Sequence, residues 1–79
     1  MNQKTIVVSF QYQDLSNCTK TKCRVMSVNE NVAKHLLDDN SPKYPVYHDL
    51  VLGSIQSQVL LLYEGLPNST VILSIKDQM

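Results

Sequence analysis

Glycine, cysteine and large aromatic residues are all scarce in this 79-residue chain: two glycines, two cysteines, one phenylalanine and no tryptophan. Gly53 and Gly65 are too few and too far apart to build a glycine-rich phosphate loop, so that route to nucleotide binding is closed. Two cysteines cannot form the dense disulfide framework of small secreted domains, and they read as reduced thiols in a cytoplasm. Charge of one sign is missing too. Lys plus Arg and Asp plus Glu come to seven each, so no overall field draws the protein to nucleic acid or an acidic membrane. No apolar run approaches the ~18 residues that span a bilayer. The segment Met1-Asn2-Gln3-Lys4 lacks the long apolar stretch of a signal peptide. These absences point to a cytoplasmic protein without a membrane partner.

What is present bounds a fold. Apolar residues make up 43% of the chain and charged residues 18%, enough for one packed domain with a surface rich in Asn, Gln, Ser and Thr. A domain of this length buries about 60–65% of the surface its unfolded chain exposes, so its core is small. Oligomerisation is one common remedy, and zero net charge offers little resistance to it.

Residues 4–13 alternate, with Ile6, Val8, Phe10 and Tyr12 on one face and Val7, Ser9 and Gln11 on the other. That is the period of a one-sided strand. Near the other end Val71, Leu73 and Ile75 alternate with Ile72, Ser74 and Lys76, predicting a strand over about 70–76 with the first set on one face. Between them Asp14 to Lys22 reads as a polar loop, and Cys23 to Ser27 as a short second strand. Cys23 and Val25 lie on one side of it, Arg24 and Met26 on the other. Ser27-Val28-Asn29-Glu30 matches a capping box, with Asn29 a competing cap. The helix that follows carries Val28, Val32, Ala33, Leu36 and Leu37 on one stripe and ends at Asn40-Ser41-Pro42.

Residues 40–48, bracketed by Pro42 and Pro45, read as a loop. Asp49 is placed to cap a second helix over roughly 50–64, striped by Val51, Ile55, Val59 and Leu62. Gly65 sits where a left-handed terminating residue is wanted. Two features resist that helix: Gly53 weakens it, and Leu50 and Leu61 fall on its polar side. Val59 to Tyr63 offers a buried strand paired with 70–76 as the alternative, the helix being the favoured reading. The expected fold is a small α+β domain in the order β-β-α-α-β: about three strands in an open antiparallel or mixed sheet, with two helices on one face. Val7 and Ile72 are expected on the uncovered face.

Three clusters are candidates for chemistry. Cys18, Cys23 and His35 have the spacing of the first three ligands of a two-Cys two-His zinc finger. The fourth ligand position is empty, since His48 lies beyond two prolines, and no metal or cofactor is expected. Lys20, Lys22 and Arg24 line one side of an extended segment. With Arg24-Val25-Met26-Ser27-Val28, Val32, Leu36 and Leu37, this stretch resembles the ribbon-helix-helix repressors, whose paired strands enter the major groove. The resemblance covers about half the chain and implies a dimeric nucleic-acid-binding regulator. The cations share parity with Met26 and Val28, however, so one face would have to serve both core and groove. Tyr44, Tyr47 and His48 gather in the proline-bracketed loop, a grouping suited to anchoring a protein interface. No nucleophile stands near His48 in sequence, and Asp49 beside it is better used as a cap. The leading expectation is a non-catalytic accessory, regulator or inhibitor that binds a partner protein or forms a homodimer. A nucleic-acid-binding regulator is second and an enzyme third.

Overall fold

A computed structural model, describing residues 2–78, arranges the chain as β1 (Gln3–Gln13), β2 (Thr19–Asn29), α1 (Glu30–Leu36), α2 (Tyr44–Leu62) and β3 (Val71–Asp77). The three strands form one open antiparallel sheet in the order β2-β1-β3. The α+β class and the β-β-α-α-β order are therefore as expected. The strands from the two ends lie side by side, with Val8 opposite Ile75 and Ser9 opposite Ser74.

The period of two in β1 does what it promised. Ile6, Val8, Phe10 and Tyr12 are buried, and Ala33 and Leu36 of α1 and Val51, Ile55 and Val59 of α2 close over them. Each Val, Ile, Leu or Phe side chain so taken out of water contributes roughly 1.5–3 kcal/mol. The other face of the sheet carries no layer. Thr5, Ser9 and Gln11 of β1 stand there beside Thr21, Cys23 and Ser27 of β2 and Ser74 of β3. Among these polar groups the open face also carries apolar residues: Val7 opposite Val25, and Val71 opposite Gln11 with Leu73 half exposed near it.

β2 begins four residues earlier than expected because the turn before it is tighter than its composition suggests. The Asp14 carboxylate accepts from the amides of Ser16 at 2.8 Å and Cys18 at 3.0 Å. Asn17 takes a left-handed φ of 63°, which Asn tolerates better than most residues. Thr19 then faces Gln13 directly, and the polar run to Lys22 pairs along β1 instead of looping. Asp14→Ala removes both turn bonds and is expected to lower stability by about 1–2 kcal/mol. A lower urea midpoint at unchanged slope would register this.

The cap of α1 is Asn29, whose side chain accepts from the Asn31 amide at 2.8 Å. Ser27 stays in β2 opposite Thr5, and Val28 opposite Lys4, so the capping box does not form. α2 starts six residues before the expected position. Lys43 precedes it, not Asp49, and Pro45 lies in its first turn. A first-turn proline has no amide to leave unsatisfied, and its φ is already helical. It therefore extends the helix through what looked like loop. Ser41, buried in the connection, steers the entry: its hydroxyl accepts from the Lys43 amide at 3.3 Å and meets His35 Nδ1. The helix runs through Leu62, so Val59 to Tyr63 is not a strand, and Leu62 is exposed rather than part of the buried stripe.

Two departures near the C-terminal strand share a theme of local backbone geometry. Glu64, not Gly65, takes the left-handed conformation after α2, with φ 53°. Gly65 is buried against Tyr12 and Val59, and its amide donates to the Val59 carbonyl at 3.0 Å. In β3 the register shifts opposite Ser9 and Phe10: Ser74 faces Ser9, Ile72 faces Phe10, and Leu73 is the extra residue. This bulge reverses the expected faces of Val71, Ile72 and Leu73, while Ile75 keeps its side. Ile72 and Ile75 pack on the core, whereas Val71 and Leu73 are each about half exposed (50% and 51%). The far end of β3 is tied by Lys4 to Asp77 at 2.9 Å. Hydrogen bonding and charge from Asp77 raise the Lys4 ammonium above its ordinary value. On the alkaline side the pair's contribution is present at neutral pH and is lost as the pH climbs through that raised range.

Candidate functional site

Tyr44, Tyr47 and His48 do not form a loop. They lie on the first two turns of α2, all partly buried. Tyr47 packs against the core and stacks on His35 with ring centres 5.8 Å apart. Tyr44 meets His48 at 5.3 Å. Much of their surface is spent inside the protein, which leaves less of an aromatic anchor than the sequence suggests.

Lys20, Lys22 and Arg24 are brought onto one face of β2, opposite Tyr12, Phe10 and Val8 respectively. Lys20 and Lys22 are exposed and Arg24 is half-buried. Two of the three, Lys22 and Arg24, converge on a residue far along the chain, Tyr63. Arg24 Nη1 donates to the Tyr63 hydroxyl at 3.4 Å, and Lys22 Nζ lies 5.2 Å from the Tyr63 ring centre. A surface cation so placed over a ring contributes about 0.5–1 kcal/mol. Lys20 Nζ stands 4.0 Å from the Asp14 carboxylate. Tyr63 itself stacks on Tyr12 at 5.7 Å and meets Phe10 at 6.3 Å. The basic row is thus a rim around a tyrosine at the end of α2. Tyr63 carries no motif, and only its position flanking the α2 stripe could have marked it.

The pairing also departs from the ribbon-helix-helix arrangement. β2 pairs with β1, the core strand of the same chain, whose other side is taken by β3. Nor do the zinc-spaced residues meet. Cys18 is in the exposed hairpin turn, and Cys23 lies on the open face with Sγ 3.3 Å from Ser9 Oγ. His35 is on α1, across the sheet from Cys23. Among the described residues no group of three or more His, Cys, Asp or Glu is arranged to hold a metal ion. The contact between Ser41 and His35 brings a hydroxyl to an imidazole, but Ser41 is buried within the α1–α2 connection and its oxygen already serves the Lys43 amide. That contact braces a turn.

Two uncommitted surfaces remain besides the open face of the sheet. The first is the outer edge of β2, eleven residues of strand paired on one side only. The second is the outer face of α2, where Val46 and Leu61 are 62% and 81% exposed. Among the described residues no helix is long and apolar enough to cross a membrane. Compared with protein-family models, curated proteins and solved structures, the chain matches none.

Proposed function

We propose that the chain is a non-catalytic, cytoplasmic protein-interaction module, an accessory, regulator or inhibitor that docks a partner protein along β2. The observation that carries this reading is the long edge of β2, which leaves a row of backbone donors and acceptors for an incoming strand. Strand addition supplies main-chain hydrogen bonds, and flanking side chains set the choice of partner. Here the flanking side chains are Lys20, Lys22 and Arg24, so an acidic extended segment is the complementary partner. The opposite edge is less inviting, because β3 is only seven residues long and its pairing is bulged.

A photocrosslinker attached at Cys23, with Cys18→Ser so that the label is unique, tests this in extract from the protein's own cells. A discrete protein adduct that disappears when Lys20, Lys22 and Arg24 are all changed to Glu is the expected outcome. Absence of any protein adduct would remove the reading. A nucleic-acid adduct, lost at high salt, would instead favour the second reading, a small regulator gripping phosphate through those cations. That alternative draws on one feature, the placing of basic side chains around an aromatic ring, which suits single-stranded nucleic acid.

A further inference from the structure

We infer that the outer face of α2 is the interface of an antiparallel homodimer, a second use of the surface beyond docking at β2. α2 is 19 residues, about 28 Å long, and buries only the stripe Val51, Ile55 and Val59. The side turned away from the sheet is also largely uncharged. Val46, Leu50, Gly53, Ser57 and Leu61 follow one another there at helical spacing, all exposed. Gly53 is the telling member. A Cβ built on it meets nothing within 4 Å, so no packing inside the chain calls for glycine, although glycine weakens a helix interior by about 1 kcal/mol relative to Ala. Absence of a side chain is useful where another backbone must come close.

The order of residues along this strip selects the occupant. Take two copies of α2 antiparallel, with a two-fold axis between Gly53 and Ser54. Val46 of each then lies beside Leu61 of the other, and Leu50 beside Ser57. The glycines are at the crossing. At the two ends Lys43 of one copy comes level with Glu64 of the other. Both residues are exposed, and neither is in an ion pair among the described residues. A strip that matches its own reverse in bulk and in charge is what a two-fold interface requires. A parallel pairing would set Lys43 against Lys43 and Glu64 against Glu64. One helix face is smaller than the ~800 Å² per partner of a standard interface, so the dimer forms in the micromolar range and dissociates on dilution. The sheets lie on its outside, and both β2 edges remain open.

Sedimentation equilibrium of the full chain at low salt tests the pairing. The wild type is expected to dimerise reversibly, and Gly53→Leu to raise the dissociation constant at least ~10-fold while circular dichroism stays native, since space around residue 53 is free. Lys43→Glu and Glu64→Lys should each weaken the dimer about five-fold, and the double variant should recover wild-type affinity. Only antiparallel pairing gives that recovery. A wild type that is monomeric throughout the micromolar range overturns the inference, as does indifference to Gly53→Leu or failure of the double variant to recover. A monomer that binds neutral or acidic lipid vesicles through this face would also overturn it, by assigning the strip to a lipid surface.

Discussion

Phe10→Ala should remove a large share of the protein's stability and sharply lower its urea midpoint. Phe10 is fully buried at the middle of β1, with Lys22 and Ile72 opposite it on the two neighbouring strands and the rings of Tyr12 and Tyr63 against it. Removing such a ring costs about 3–5 kcal/mol through lost burial and the cavity left behind. At roughly 0.05–0.15 kcal/mol per residue, a chain of 79 residues has about 4–12 kcal/mol in hand, so the loss takes a large share of it. Phe10→Leu keeps most of the volume and should cost less than half as much. Far-ultraviolet circular dichroism with urea titration distinguishes the two. A cooperative transition at the wild-type midpoint for Phe10→Ala would show that the core is not centred where the structure puts it.

Gly65→Ala should destabilise by about 1–3 kcal/mol, the usual cost of overfilling a packed site. The new methyl would lie 2.8 Å from Cδ2 of Tyr12 and closer still to Cγ1 of Val59. Neither neighbour is a flexible tip: Val59 is fully buried in α2, and Tyr12 is held under the Tyr63 ring. For a domain of this size the melting temperature should fall roughly 4–8 °C per kcal/mol. Gly53→Ala provides the contrast within one protein. Its methyl has open space, and its helix propensity improves, so the monomer should gain up to about 1 kcal/mol. Thermal melts of the two variants should move in opposite directions. If both moved the same way, the crowding around Gly65 or the openness around Gly53 would be misassigned.

These contrasts also mark where residue patterns stop being informative. Alternation over residues 4–13 and the four-residue spacing of Val51, Ile55 and Val59 report burial faithfully, because each is a property of one element repeated several times. The misplacements come from single residues whose effect depends on backbone not visible in a string. Pro45 reads as a breaker until a helix is known to start one residue earlier. Leu73 reads as an ordinary member of an alternating strand, yet as a bulge it turns Ile72 and Ile75 inward together. Glu64 takes a left-handed φ that its neighbour Gly65 would adopt more cheaply, because Gly65 is used for space. At the candidate surfaces, parity alone puts Lys20, Lys22 and Arg24 on a common face. Their meeting with Tyr63 depends on where α2 ends, which is a tertiary fact. Leu50 and Leu61 look like flaws in an amphipathic helix when one buried face is assumed, and become a second apolar face once α2 is seen to have both.

The central place of β1 has a consequence for biosynthesis. β1 is bonded on one flank to the segment that follows it at once, and on the other to Val71–Asp77, more than fifty residues later. A growing polypeptide can close the hairpin early, but it cannot finish the sheet until translation has passed Asp77 and that stretch has cleared the ribosome. In the interval the free flank of β1 is exposed and able to pair with the wrong strand. Expression at high ribosome density should therefore favour aggregation, and slower initiation or lower temperature should raise the soluble yield.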